Sequence, residues 1–337
     1  IRMLDIGKDG LVLNRQNGES FDDEQIEEHL QTPDDSILYY VIAALHKGIS
    51  IEKIYQLSAI DPWFLTKINN IVEVERRLKS SALDQKLLSD AKKFGFSDNQ
   101  IGRAVNKKEL EVRKIRKDLG IIPVVKQIDT LAAEWPAETN YLYLTYGGSE
   151  SDISITQKDR GIIVLGAGPY RIGSSVEFDW GTVNMVWGLQ DGGQKNVVVV
   201  NCNPETVSTD YDICNRLYFE ELTLERILDI SEFEQPNGIV TSVGGQTANN
   251  LTPKLADNGI TLIGTSAKDV DKAENRSKFS QVLDRLHIGQ PSWQAFTNIS
   301  DAKNFALEVG YPVLVRPSYV LSGAAMRVVW SQTELKK

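Results

Sequence analysis

The sequence predicts a multidomain chain in which an all-α helical domain is followed by an α/β domain with a doubly wound parallel sheet. From Asp22 to about Gly120 the apolar residues recur with an almost wholly helical period. Further on, Ile162–Leu165 is a short apolar run that leads into Gly166-Ala167-Gly168-Pro169, and Val197–Val200 is a second run. A strand, a glycine turn, a helix and a strand in this order open a doubly wound α/β unit.

Length and composition narrow the class of protein. The 337 residues allow two or three domains, and 41% hydrophobic and 25% charged residues are typical of a soluble globular protein. No run of 18 apolar residues occurs, and the net charge is −9, so we expect neither a membrane nor a nucleic acid as partner. The chain opens on Ile1 without a secretory signal pattern, so we expect a piece of a longer protein.

Cysteine and histidine usage predicts no metal site within the chain. Two Cys without ligand-like spacing suit a reducing compartment, which favours the cytoplasm. Three scattered His form no cluster in the sequence.

Cap residues predict where the helices of the first domain begin. Asp34-Asp35-Ser36 precedes one apolar helix, and Asp61-Pro62 places a cap and a helix-starting proline before another. Shorter helices are predicted near 83–94, 98–104 and 107–119. The basic run 107–117 is interpreted as a solvated helix face rather than an anion site, because Glu109 and Glu111 interrupt it. Residues 121–148 are predicted to form an irregular connector.

In the α/β domain, polar side chains follow the predicted strands. A helix is predicted from Ser174 or Ser175 to Leu189, a third strand at 238–243 and a fourth at 260–263. Loops after strand carboxyl ends are where α/β sheets gather their binding groups. The carboxylates and amides at these ends are Glu177, Asp179, Asn201, Asn203, Glu205 and Gln246.

A nicotinamide site is an alternative that the residues disfavour. The dinucleotide fingerprint G-x-G-x-x-G needs a third glycine where this chain has Arg171, after Gly166 and Gly168. It also needs an acidic residue after the second strand, and Asn201 begins that segment instead. An NAD-dependent enzyme is therefore the weakest reading.

The last 70 residues predict a phosphate-binding arrangement. A helix at 271–286 carries Arg276, and a strand at 313–318 brings Arg316 to its end, before the small-residue loop with Ser322 and Gly323. A guanidinium can bind phosphate oxygens through two N–H groups, and backbone N–H groups of such a loop can cover phosphates.

Seven motifs in fixed order give the chain a family resemblance. They are GPYRIGSSVEFDW, NCNPETVSTDYD, RLYFEELTLE, GGQT, IGTS, AENRSKF and YPVLVRPSYVLSGAAM. Together they closely resemble the second of the two homologous halves of the carbamoyl phosphate synthase large subunit, over residues 160–337. SSVEFDW and LSGAAM resemble the eukaryotic type.

The resemblance implies four segments. They are the tail of a preceding ATP-grasp domain (1–20), a helical oligomerisation domain with its connector (21–150), a pre-ATP-grasp α/β domain (158–268) and the truncated first part of an ATP-grasp domain (269–337). A non-catalytic oligomerisation or scaffold module is the alternative function.

The activity that the resemblance implies is phosphorylation of carbamate by MgATP to give carbamoyl phosphate. Arg276, Arg316, Ser322 and Gly323 would bind ATP, and Ser175, Glu177 and Glu205 would line a tunnel that delivers carbamate. No catalytic residue is assigned. The Mg²⁺ ligands are expected beyond residue 337, so the piece alone is expected to be inactive. The implied partners are a glutaminase small subunit or domain and further copies of the chain, in the cytoplasm or alternatively the mitochondrion.

Overall fold

The structure, a computed structural model, describes residues 1–14, 21–171, 174–316 and 326–336. After residue 21 the chain forms a helical block, defined here as the helices between residues 22 and 120. They are α1 (Asp23–Gln31), α2 (Ile37–His46), α3 (Ile51–Ser58), α4 (Pro62–Ser80), α5 (Gln85–Lys93), α6 (Asp98–Val105) and α7 (Glu109–Asp118). No helix among the described residues combines the length and the apolarity that a membrane span requires.

Of two helix caps predicted in the helical block, the structure confirms Asp61 and corrects Ser36. Asp61 accepts a hydrogen bond from the N–H of Trp63 (2.8 Å), and Pro62 starts α4 as predicted. Ser36 precedes α2, but its side chain does not cap the helix. Its hydroxyl donates to Asp34 (2.6 Å) instead. The apolar faces of the helices close on one core, in which Ile26, Leu30, Ile54, Leu65 and Leu88 are fully buried.

Among the described residues, seven strands form one sheet in the order β1-β2-β5-β4-β3-β6-β7. They are β1 (Val124–Gln127), β2 (Tyr141–Thr145), β3 (Ile162–Leu165), β4 (Val197–Asn201), β5 (Arg216–Phe219), β6 (Gly238–Val240) and β7 (Leu262–Ile263). The pair β1–β2 is antiparallel and the other pairs are parallel. Every residue of β3 and β4 is buried, which confirms the doubly wound sheet with helices on both faces.

The prediction of an irregular connector at 121–148 is wrong, because β1 and β2 extend the sheet. Tyr141–Thr145 alternates buried and less buried side chains, with Leu142 and Leu144 facing the core, as a strand with one packed face does. Its parallel partner is β5, with Tyr141 opposite Leu217. Residues 141–145 form a strand because β5, from a distant part of the sequence, pairs with them.

Helices of the α/β domain flank the sheet. They are α8 (Val176–Asp191), α9 (Leu224–Glu234), α10 (Gly245–Asn249) and α11 (Thr252–Asp257). The predicted helix start at Ser175 is confirmed, since Ser175 is the N-cap of α8. The third strand ends at Val240, three residues earlier than predicted. A Cβ on the following Gly244 would lie 2.4 Å from the carbonyl oxygen of Gly166, so the chain turns tightly against the neighbouring loop there.

The remainder consists of α12 (Ala267–Glu274), α13 (Arg276–Arg285), α14 (Ile299–Val309), β8 (Val313–Val315) and β9 (Arg327–Val329). β8 and β9 pair antiparallel. The single helix predicted at 271–286 is interrupted at Asn275, whose backbone is extended (φ −82°, ψ 107°). The side chain of Asn275 accepts a hydrogen bond from the N–H of Lys278 (3.1 Å) and so caps α13, which places Arg276 in the first turn of a new helix.

Candidate functional site

The candidate site lies at the carboxyl edge of the sheet, where the loops after β3 and β4 meet. Asn201, at the end of β4, holds both loops together: its Oδ1 accepts from the N–H of Gly168 (3.1 Å) and its Nδ2 donates to Ser208 (3.1 Å). Gly166 is required here, because a Cβ would lie 2.6 Å from Cγ of Asn201. The residue in the place of a ribose-binding acid is thus buried and bonded to its own loops, which disfavours the nicotinamide alternative.

Ser175 and Glu177 form a local pair at the start of α8. The hydroxyl of Ser175 donates to Oε2 of Glu177 rather than capping the helix. This hydrogen bond lowers the pKa of Glu177 from its ordinary value, and the carboxylate is exposed. The pair therefore presents a negative charge to solvent at the helix N-terminus, where the helix dipole also favours it.

Glu205 lies in the neighbouring loop after β4. Its N–H donates to Oδ1 of Asn203 (3.0 Å), and its side chain is exposed. The two loops are joined by a hydrogen bond between the hydroxyls of Tyr170 and Thr206, 2.5 Å apart. Sequence reasoning missed this link: both residues stand in the motifs that carry the family resemblance, but nothing in either motif indicates that the two side chains meet.

Asp179, one of the carboxylates that the sequence placed at this edge, is a buried structural group. Its Oδ2 accepts from the N–H of Ser208 (3.1 Å), which fastens the loop after β4 to α8. Its Oδ1 is buried without a hydrogen-bond partner in the described part of the chain. The exposed carboxylates of the edge are therefore Glu177 and Glu205.

Arg276 and Arg316 belong to separate elements, and their charges interact. Arg276 starts α13, and Arg316 directly follows β8, with its side chain exposed. Desolvation, together with repulsion from Arg316, lowers the pKa of Arg276 from its ordinary value. Two guanidiniums whose charges repel each other favour a ligand with several negative charges, such as a polyphosphate.

The remaining predicted ligand groups cannot be placed. Ser322 and Gly323 lie outside the described residues. Within the described ranges, no group of three or more His, Cys, Asp and Glu side chains is arranged to hold a metal ion.

Three family profiles match consecutive parts of the chain. Residues 1–120 match "Carbamoyl-phosphate synthetase large chain, oligomerisation domain", and residues 158–272 match "Carbamoyl phosphate synthase preATP-grasp domain". Residues 271–337 match "Carbamoyl-phosphate synthase L chain, ATP binding domain". The chain belongs to the carbamoyl phosphate synthase large-chain family.

Individual relatives of this family match along the whole chain. The mitochondrial carbamoyl-phosphate synthase [ammonia] of Aquarana catesbeiana is 48% identical over 340 residues, covering 100% of this chain and 22% of the relative. The carbamoyl phosphate synthase large chain of Hyperthermus butylicus is 49% identical over 343 residues, covering 100% and 32%. The arginine-specific mitochondrial large chain of Neurospora crassa is 50% identical over 325 residues, covering 95% and 27%. The chain thus spans between about a fifth and a third of these relatives.

Among solved structures, the biotin carboxylase domain of the Hydrogenobacter thermophilus 2-oxoglutarate carboxylase is 19% identical with a TM-score of 0.41. The match covers 52% of this chain and 39% of that structure. This similarity is too distant to bear on the site. The site of this family member is therefore described from its own residues. Ser175, Glu177 and Glu205 lie in the part matched by the preATP-grasp profile, and Arg316 lies in the part matched by the ATP-binding profile.

Proposed function

We propose that the chain is the part of a carbamoyl phosphate synthase large chain that joins its oligomerisation domain to the half that phosphorylates carbamate. The reaction of that half is carbamate plus MgATP to carbamoyl phosphate plus ADP, within an overall use of bicarbonate, ammonia from glutamine and two ATP. The observation that carries the proposal is that consecutive parts of the chain match the oligomerisation, preATP-grasp and ATP-binding profiles of this family, with Arg276 and Arg316 both inside the ATP-binding match.

Phosphoryl transfer asks a protein mainly to position the reactants and to neutralise charge on the transferred group. Arg276 and Arg316 are proposed to bind phosphate oxygens of ATP, and the loop with Ser322 and Gly323 to cover them with backbone N–H groups. Mg²⁺, when bound, would add charge neutralisation, held by carboxylates beyond residue 337.

Ser175, Glu177 and Glu205 are proposed to line the route by which carbamate arrives. The support is their position: the hydroxyl–carboxylate pair of α8 and the exposed Glu205 lie on adjacent loops at the carboxyl edge of the sheet. The chain boundaries 1–20, 21–150, 158–268 and 269–337 are proposed as the domains, with β1 and β2 of the second segment contributing to the sheet of the third.

We further propose a glutaminase small subunit or domain as partner, self-association through the helical block, and a cytoplasmic location with the mitochondrion as alternative. The 337 residues alone are proposed to be inactive, because the sequence after Arg316 holds one carboxylate, Glu334. Two mitochondrial enzymes among the relatives named above support the alternative location.

The test uses a full-length large chain that contains these residues. Supplied with carbamate, Mg²⁺ and ATP, it should form carbamoyl phosphate and ADP in equal amounts. Consumption of ATP without carbamoyl phosphate, or no consumption, would reject the proposed reaction.

A further inference from the structure

A carboxylate from the beginning of the chain occupies the crevice between the loops that follow β3 and β6. These strands are neighbours, and β4 and β5 extend the sheet on one side while β7 extends it on the other. The crevice is therefore the point where the strand order reverses, which is where open α/β sheets usually bind ligands. In this chain the residue at that point is Asp5.

Asp5 contacts Arg171, in the loop after β3, and Thr247, in the helix α10 that follows the loop after β6. Its Oδ2 lies 2.7 Å from Nη2 of Arg171 and accepts hydrogen bonds from Nε of Arg171 (3.0 Å) and from the hydroxyl of Thr247 (3.2 Å). Nη2 of Arg171 also donates to the hydroxyl of Thr247 (3.2 Å), so the three side chains form a closed triangle.

The segment that carries Asp5 is a short 3-10 helix, Arg2–Leu4, fixed on the α/β domain. Asp5 ends this helix in a left-handed conformation (φ 50°, ψ 38°), which Asp adopts more readily than most non-glycine residues. Two further contacts fix the segment on the α/β domain: Arg2 lies 2.7 Å from Glu221, and the thiol of Cys202 donates to the carbonyl of Met3 (3.5 Å).

Arg171 in turn sets the end of the loop that leads into α8. Its backbone N–H and C=O pair with the C=O and N–H of Ser174, both at 2.9 Å. Ser175 is the next residue, and its hydroxyl donates a hydrogen bond to the carboxylate of Glu177. Holding the side chain of Arg171 therefore holds the backbone from which both proposed carbamate-lining groups project.

We propose that Asp5, Arg171 and Thr247 form an interdomain latch, in which Arg171 is a positioning residue for Ser175 and Glu177. The latch connects the segment before the helical block to the loop after β3. Its existence is inferred from the distances given above. Its consequence for carbamate delivery rests on the function proposed above.

The latch is tested first without any assay of activity. Hydrogen exchange of the 337-residue chain should show that Asp5→Asn speeds amide exchange in residues 166–171 and 174–178 by roughly threefold to tenfold, as expected for loss of a half-exposed charge-assisted contact. Asp9→Asn is the matched control, since it makes the same chemical change in the same segment but breaks a contact with Arg103 of the helical block (2.6 Å). Equal effects of both variants on these residues, or none, would overturn the latch.

The consequence is tested in a full-length large chain. Asp5→Asn should raise the ATP consumed per carbamoyl phosphate formed by about threefold when bicarbonate is the starting substrate, with the KM for ATP unchanged, and Asp9→Asn should leave the ratio as it is. The exchanged pair Asp5→Arg with Arg171→Asp should recover part of the coupling. A normal ratio in Asp5→Asn despite faster loop exchange would overturn the positioning role. A wild-type enzyme that makes no carbamoyl phosphate would count against the proposed reaction and leave the exchange result standing.

Discussion

Arg116 on α7 and Asp229 on α9 form a buried ion pair between the helical block and the α/β domain. Nη2 of Arg116 donates to both carboxylate oxygens of Asp229, at 2.8 and 3.0 Å. The two side chains are 0% and 2% exposed, so the interpretation of residues 107–117 as a solvated helix face is wrong at Arg116. An ion pair this deep is tolerated only when every remaining donor and lone pair is also satisfied.

The pair belongs to a network that supplies those partners. Nε of Arg116 donates to Asp98 (2.8 Å), and Lys92 contacts both Asp98 (3.0 Å) and Glu225 (2.5 Å). The ring of Tyr146, just after β2, lies 5.1 Å from Nζ of Lys92 and 5.8 Å from the guanidinium of Arg116. Carboxylates of both domains thus neutralise cations of the helical block, and removing one cation leaves the buried carboxylates with one positive charge fewer.

Arg116→Met should therefore destabilise the protein strongly. Breaking a buried pair costs about 3–5 kcal/mol of unfolding free energy, and we expect the lower end here because Asp229 keeps Arg113 and Asp98 keeps Lys92. Urea denaturation of the 337-residue chain would measure it. Lys114→Met on the same helix is the control, because Lys114 and its partner Asp118 are 76% and 62% exposed and should contribute little. Similar losses in the two variants would show that the network does not hold the domains together.

Self-association through the helical block should depend on Trp63 and Phe64. Their rings meet edge to face with centroids 5.0 Å apart, and the residues are 60% and 57% exposed, so they form an aromatic patch that a partner could cover. Replacing both by Ser should shift sedimentation toward monomer while the urea midpoint stays nearly unchanged. Trp135→Ser, at a 68% exposed position outside the block, is the control. A dimer that survives the double change would place the interface elsewhere.

Arg316→Ala in a full-length large chain should weaken ATP use in carbamoyl phosphate formation. Loss of a charge-assisted phosphate contact costs on the order of 1.5–3 kcal/mol, or roughly tenfold or more in kcat/KM. Bicarbonate-dependent ATP hydrolysis by the other half should remain. Arg276→Ala should behave alike, and Arg285→Ala, at the far end of α13, should not. If both partial reactions fell equally, Arg316 would not have this role.

The 337-residue chain alone should not form carbamoyl phosphate from carbamate, Mg²⁺ and ATP. Near-octahedral Mg²⁺ ligation usually takes one or two carboxylates, and Glu334 stands alone after Arg316. A coupled assay for ADP and carbamoyl phosphate measures this directly. Turnover at the rate of a full-length large chain would mean that the active groups lie within these residues.

Local signals explain which parts of the fold the sequence could predict. Helix caps such as Asp61 and buried runs such as β3 involve residues within a few positions of one another, and these predictions are confirmed. β1, β2 and β5 were missed, because Tyr141 acquires its strand partner Leu217 from a distant part of the chain. A four- or five-residue run does not reveal such a partner.

The same distinction applies to the candidate site. Ser175 and Glu177 are two positions apart, so their contact follows from a local motif. Asp5 and Arg171 are separated by 166 positions, and the sequence around neither residue indicates the other. Arg276 lies in the first turn of a new helix because of the break at Asn275, which the uninterrupted helical period did not reveal.

Glu225 should make the stability of the interface sensitive to acid. Burial raises its pKa, but Lys92 and Arg226 outweigh burial and lower the pKa to about 2, from an ordinary value of 4.5. A carboxyl with a depressed folded-state pKa stabilises the fold fully above its unfolded pKa. That contribution is lost as the pH falls from about 4.5 toward 2, and neighbouring Asp98, whose pKa is raised by burial, offsets part of it.

Lys92→Met removes the main cation that depresses this pKa. The free energy of unfolding of the variant should therefore fall furthest below that of the wild type at neutral pH, and the difference should become smaller in acid. Urea midpoints measured from about pH 7 down to about pH 3 should show the gap to wild type narrowing below about pH 4.5, since Glu225 is then becoming protonated in the unfolded wild-type chain. Lys86→Met is the control: Lys86 lies on the same helix with its side chain 78% exposed, and its curve should run parallel to the wild type. A gap between Lys92→Met and wild type that stayed constant across this range would show that Lys92 stabilises the interface by packing rather than by its charge on Glu225.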